Sequence, residues 1–186
     1  MAEMSFLEKI FVNSIFLDLL HNYIVMPSFS RFIGNVEGKV LEIGCGKGTT
    51  TLEIATNNPR AKITAIDYDE DQIKLAIKKS PFNKIENISF EQGDATKLRF
   101  KSSSFAYVFE LNAFHHIKNY EKAMDEVYRV LKKDGKFFVM DMRVPFWIYG
   151  EAYFTRKKFE EKLEDKGFTV EKSKGIWWFY IKARKA

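Results

Sequence analysis

The chain has 186 residues, 46% of them hydrophobic and 30% charged, as expected of a soluble globular protein with one well-filled core. No stretch of about 18 residues runs without charge, which excludes a membrane-spanning helix. The single cysteine, Cys45, excludes an internal disulfide, and no Cys/His spacing suggests a metal site.

The first element, residues 5–33, reads as helical. Phe6, Leu7, Ile10, Phe11, Leu17 and Leu20 fall near helical spacing, with Pro27 ending or splitting the region. Gly34 to Gly38 make a turn, "KVLEIG" is a short buried strand, and "TTTLEIATNN" is a helix. "AKITAID" is a strand, followed by the helix "EDQIKLAIKKS" with Ile73, Ala76 and Ile77 on its inner side. "NISFEQGD" and "SFAYVFEL" are the third and fourth strands. The helix "YEKAMDEVYRVLKKDG" is closed by Gly135, with Lys132 and Lys133 complementing its C-terminal dipole, and "KFFVMDM" is the fifth strand.

Strand–helix alternation at this spacing predicts a parallel sheet with helices on both faces. The tail breaks the rhythm with the helix "TRKKFEEKLEDKG" and the strands "FTVEKS" and "IWWFYIKARK". The short "KG" turn between those strands requires an antiparallel pair. "IWWFYI" is almost uninterrupted apolar, as in a strand buried on both faces.

The stretch "VLEIGCGKGTTTLEIA" carries the chemistry. Gly44, Gly46 and Gly48 follow directly on the first strand, where open parallel sheets bind ligands. The dinucleotide pattern G-x-G-x-x-G fails, because its third glycine would fall at Thr49, and no phosphate-cradling P-loop string is present. A carboxylate, Glu42, stands beside the loop. It would repel a pyrophosphate and suit a ligand carrying an ammonium or sulfonium.

Over residues 37–142 the motifs resemble class I S-adenosylmethionine-dependent methyltransferases, in order and spacing. "LEIGCGKG" is similar to the family's first motif. The resemblance implies a Rossmann-like α/β fold, a seven-stranded mostly parallel sheet with an antiparallel C-terminal strand. It also implies S-adenosylmethionine as cofactor, bound by Glu42, Gly44, Cys45 and Gly46. Asp67 in "TAIDYD" matches the acid that accepts bonds from the ribose hydroxyls, and Tyr68 the residue beside the adenine. Asp94 and Ala95 in "QGDATKLRF" match positions reading the adenine amino edge. Glu110 stands near the methionine end. "FELNAFHHI" resembles the "LHHI" segment of members that methylate small molecules. The sequence departs from the family at Ala106, where an acid usually begins strand four.

Each residue has a plainer reading. Gly48 serves close helix–sheet packing, Cys45 contributes its backbone, Asp94 forms a turn after Gly93, Glu110 ends a strand, and Asp67 caps a helix. These explain one position each but not Glu42, Gly44, Gly46 and Asp67 in register. His115 and His116 are the catalytic candidates. Adjacent residues point in different directions, so one packs or positions and the other is left for proton transfer. His21 reads as a helix-surface residue. Phe146, Trp147, Tyr149 and Tyr153 line either an acceptor pocket or the core beneath the last helix.

The expectation is a single domain, 1–186. Residues 1–35 form a helical cap or lid and 37–142 the cofactor-binding core. The function expected is in-line methyl transfer to a small-molecule acceptor, with no metal, in a cytoplasmic setting and with homodimer contact an option. Methylation of RNA is a second reading, invited by the net charge of +5. It is opposed by the absence of a [DN]-P-P-[YF] string after strand four and by interspersed Lys and Glu, which argue against a nucleic-acid partner. A catalytically inactive donor-binding protein is a third, and membrane contact through the amphipathic start a fourth.

Overall fold

A computed structural model describes residues 26–80, 85–142, 155–175 and 178–186. Five helices and seven strands alternate among them. The order is α1 (Met26–Ile33), β1 (Gly38–Ile43), α2 (Thr49–Asn57), β2 (Ala61–Asp67), α3 (Glu70–Lys79), β3 (Ile88–Gln92) and β4 (Phe105–Leu111). A 3-10 turn (Phe114–His116), α4 (Tyr120–Val130), β5 (Leu131–Met142), α5 (Arg156–Asp165), β6 (Phe168–Lys174) and β7 (Trp178–Lys185) follow. Helix ends follow local chemistry. Asp69 caps α3 by accepting from Asp71 N, with acids in its first turn and Lys78 and Lys79 in its last. Asn119 caps α4 and Thr155 caps α5 in the same way.

The strands form one sheet in the order β3-β2-β1-β4-β5-β7-β6. β1 to β5 are parallel; β7 is antiparallel to both β5 and β6, as the short turn requires. The chain leaves β1 toward β2 and β3, then returns to place β4 on the other side of β1. The switch point therefore lies between the carboxyl ends of β1 and β4.

Each face of the sheet has its own core. On one, Leu41, Ile43, Val108, Phe137 and Val139 pack against Met124 and Val127 of α4 and Phe159 and Leu163 of α5. On the other, Val40, Ile63, Phe109 and Phe138 meet Phe29 of α1 and Ile54 of α2. Phe29 sets its edge on Phe109 at 5.9 Å between ring centroids, and Phe32 on Phe138 at 5.8 Å. Cys45 and Ala65 make a smaller cluster with Ile73 of α3.

Four expectations are corrected. α4 stops at Val130, and Lys132 and Lys133 belong to β5. The left-handed residue there is Asp134, φ 59°, not Gly135. Gly135 serves close approach instead, since a Cβ would meet Lys132 O at 2.8 Å. These residues bulge between the Phe105–Leu131 and Tyr107–Lys136 pairings, with Ala106 opposite. Ile77 is 50% exposed; Gln72 takes the inner position beside Ile73 and Ala76. β7 alternates, with Phe179, Ile181 and Ala183 buried and Trp178 and Tyr180 half-buried, because α1 covers the second face only in part. Pro27 lies in the first turn of α1, where its missing N–H costs nothing. Residues 1–25, including His21, and the aromatic run at 146, 147, 149 and 153 lie outside the described residues.

Candidate functional site

β1 ends in Ile43 and the chain turns at once through Gly44 (φ 74°), Gly46 (φ 51°) and Gly48 (φ 75°) into α2. The loop's amides are spent inside the protein. Gly44 N and Cys45 N both donate to Ile66 O, at 2.8 and 3.0 Å. Gly46 N donates to Asp67 Oδ2 at 2.8 Å, and Gly48 N to Cys45 O at 2.9 Å. Those four amides are committed to acceptors within the protein and are not free to cradle a phosphate, as a P-loop requires. A Cβ on Gly44 would lie 2.2 Å from Ala113 Cβ, so loop and turn meet at the switch point. A Cβ on Gly48 would lie 2.9 Å from both Ala76 of α3 and Phe90 of β3, in keeping with its packing role.

Asp67 closes β2 with both oxygens engaged, Oδ1 accepting from Asp69 N at 2.9 Å and Oδ2 from Gly46 N. Burial raises its carboxyl above the ordinary value, against the pull of those amides. Glu42 pairs in register with Ala65 on β2 and Phe109 on β4, which puts it on the same face as Asp67. It is buried, and Oε2 has no hydrogen-bond partner among the described residues. Burial pushes its carboxyl up to about 7; Thr51 favours the ionised form and the Asp67 charge opposes it. Cys45 is buried beside these acids, and burial with their charges raises its thiol well above the ordinary range.

The remaining expected residues divide. Tyr68 is half-buried next to Asp67, and its carbonyl accepts from Gln92 Nε2 at 3.2 Å. Asp94 Oδ1 accepts from Thr96 N and Thr96 Oγ1 at 2.8 and 2.9 Å, which is a turn geometry, and Ala95 is fully buried. Glu110 pairs in register with Ile43 and so lies on the face opposite Glu42. Its side chain is fully buried, and Oε1 accepts from Ala113 N at 2.5 Å and Phe114 N at 3.1 Å. His115 is buried, with Nδ1 2.5 Å from Asp141 Oδ1, while His116 is half-exposed with its ring 4.1 Å from that of His115. Of the two histidines, His115 is the packed one.

Sequence reasoning missed three residues. Asp141 lies in a strand that reads as core, and only the pairing of β5 with β4 brings it to His115. Asn112 is left-handed, φ 53°, with Oδ1 buried and without a partner among the described residues. Gln72 Oε1 is likewise buried and unpartnered there, 3.9 Å from where a Gly46 Cβ would stand. A left-handed Asn after a strand is a signal that could have been read; a glutamine in a helix is not. Acceptor atoms without donors thus gather around the loop, a set suited to a ligand bearing N–H, O–H or cationic groups. Among the described residues no group of His, Cys, Asp and Glu is placed to hold a metal ion.

Residues 35–182 match a family described as a methyltransferase domain. The uncharacterized methyltransferase YcgJ of Bacillus subtilis is 35% identical over 109 residues, 59% of this chain and 42% of that protein. The ubiquinone/menaquinone biosynthesis C-methyltransferase UbiE of Rickettsia felis is 29% identical over 161 residues, 77% of this chain and 63% of that protein. The chain therefore spans about half the length of the curated relatives it matches, from 42% to 63%. The crystal structure of a SAM-dependent methyltransferase from Aquifex aeolicus has the same fold. Its TM-score is 0.83 at 18% identity, covering 99% of this chain and 100% of that one.

Proposed function

The chain belongs to the methyltransferase-domain family, and from that premise we propose that it transfers a methyl group from S-adenosylmethionine to a small-molecule acceptor. One observation carries the reading. Two buried or half-buried carboxyls, Glu42 and Asp67, flank a bare loop whose amides already bond Ile66 O and Asp67. Such a site repels phosphate and receives a cation.

The residues present fit the donor. Glu42 Oε2 and Asn112 Oδ1 are acceptors in want of a donor and would take its ammonium. Asp67 would take the ribose hydroxyls, with Gly44, Cys45 and Gly46 giving close approach, Tyr68 beside the adenine, and Asp94 with Ala95 at its amino edge. When bound, the donor supplies a methyl group on a positively charged sulfur, which needs no covalent enzyme intermediate. The chain's own work is to orient the reactants and exclude water. For an acceptor that must lose a proton, His116, half-exposed beside buried His115, is the candidate base.

The name of the Rickettsia relative makes a carbon of a ubiquinone or menaquinone precursor the first acceptor to try. No helix among the described residues is long and apolar enough to cross a membrane. A cytoplasmic setting, a homodimer and a lid role for residues 1–35 are parts of the same proposal. Titration calorimetry tests it. S-adenosylmethionine and S-adenosylhomocysteine should bind, and NAD and ATP should not. Binding of NAD or ATP with neither adenosyl compound taken up overturns it.

A further inference from the structure

Glu110 and Asp141 point from adjacent strands into the same core. Glu110 pairs with Val139, two residues before Asp141, so both side chains project from the face of α4 and α5. Both are fully buried. Asp141 holds His115 twice, Oδ1 at 2.5 Å from the imidazole Nδ1 and Oδ2 accepting from His115 N at 3.2 Å. Glu110 Oε1 accepts from Ala113 N and Phe114 N. Glu110 Oε2 lies buried, and no N–H or protein hydroxyl among the described residues reaches it.

Two ionised carboxylates side by side in a dry interior repel each other strongly, and each also loses its hydration. A proton on one of them turns the repulsion into a hydrogen bond. Oε2 of Glu110 is where that proton belongs. It is the oxygen no other donor serves, whereas Asp141 Oδ2 accepts from His115 N and Oδ1 is engaged with the imidazole Nδ1. The acid without a donor is then itself the donor.

We propose that Glu110 is a neutral carboxylic acid donating to the Asp141 carboxylate, and that with His115 the pair forms a positioning unit holding residues 112–117 against the glycine loop. The unit bonds the amides of Ala113, Phe114 and His115 in succession. Asn112 N is fixed to Met140 O at 2.7 Å. The output is the position of Ala113, whose Cβ forms the wall against Gly44. That consequence rests on the reading of the glycine loop as the donor site; the proton on Glu110 does not.

The groups facing Glu110 are known by element. β5 presents Asp141; the turn presents two amides and, beyond Asp141, the His115 ring with the His116 ring tilted against it; β1 presents apolar Ile43. Burial and the Asp141 charge hold the Glu110 carboxyl well above its ordinary value, against the two amides. A carboxyl raised in the folded state keeps its stability below the ordinary value and loses it as pH climbs through the raised one.

The test uses the whole chain and the variants E110Q and E110A. Glutamine keeps the shape and a donor without a titrating proton. E110Q should therefore bind S-adenosylhomocysteine within about threefold of wild type at neutral pH, while E110A loses at least about tenfold. The wild-type urea midpoint should fall relative to that of E110Q as pH rises from about 5 to about 9. The infrared difference spectrum, wild type minus E110Q at neutral pH, should show a protonated-carboxyl band, since the contribution of Glu42 is common to both proteins and cancels. A midpoint difference that is flat with pH, or a wild-type spectrum identical to that of E110Q in this band, overturns the neutral acid. Equal adenosylhomocysteine affinity in folded E110A and wild type overturns the positioning role. Wild type that binds no adenosylhomocysteine at all overturns the donor reading instead, and the infrared and urea results still judge the proton.

Discussion

Gly44 and Ala113 touch across the switch point of the sheet, so closely that a Cβ on Gly44 would stand 2.2 Å from that of Ala113. The first is the entry to the glycine loop, the second belongs to the turn after β4.

G44A is therefore expected to be far worse than G46A. Both glycines are left-handed, which costs an alanine about 1–2 kcal/mol, but the nearest atom to a Cβ on Gly46 is Gln72 Oε1 at 3.9 Å. Urea unfolding should show a loss of about 1 kcal/mol for G46A and more than twice that for G44A. Equal losses would mean that the loop yields freely at Gly44.

Asp67 has two duties, and two substitutions separate them. D67A strips Gly46 N and Asp69 N of their acceptor, at about 1–3 kcal/mol for each donor left unpaired. D67N keeps one oxygen and the side-chain shape, so it should fold while binding S-adenosylmethionine at least about tenfold more weakly, which is about 1.4 kcal/mol. Calorimetry on folded D67N decides; wild-type affinity would remove Asp67 from the donor site.

Glu42 is expected to make donor binding depend on pH. Its carboxyl is raised from the ordinary 4.5 to about 7 by burial. Without ligand, the stability it contributes is complete below about 4.5 and is lost as pH rises through about 7, by up to about 3 kcal/mol. An ammonium prefers the ionised form, so affinity for S-adenosylhomocysteine should climb over the same range and level off above it. E42Q should flatten both curves when calorimetry and urea unfolding are run from about pH 5 to about 8.5. An affinity that E42Q leaves with its pH dependence intact would place the ammonium elsewhere.

The strand–helix rhythm and the residues Glu42, Gly44 and Asp67 were legible in the sequence because their signals are local. One acid stands near the end of an apolar strand, bare glycines follow that strand directly, and a second acid closes the next. What the sequence hid is lateral. Asp141 reads as one polar residue in "FVMDM", and only the β4–β5 register brings it to His115 and Glu110. Ile77 and Gln72 exchanged places because four positions of one helix compete for the inner side, and apolarity alone does not rank them. Asp134 and Gly135 were confused because either residue type can begin a tight return; the bulge decided between them.

Phe114 links the turn to the far end of the chain. It is fully buried, with ring centroids 5.7 Å from Phe137 of β5 and 5.6 Å from Phe159 of α5. F114A should cost about 3–5 kcal/mol in urea unfolding and F114L clearly less. A cost for F114A below about 1 kcal/mol would show that the turn is held by its polar bonds alone.

The carbonyl of Ile66, taking both Gly44 N and Cys45 N, moors the loop to the neighbouring strand through the protein's own bonds. A visitor then meets a berth of settled shape and forfeits little freedom of the host on docking. On the proposed reading, the same mould would hold the donor before and after it gives up its methyl group.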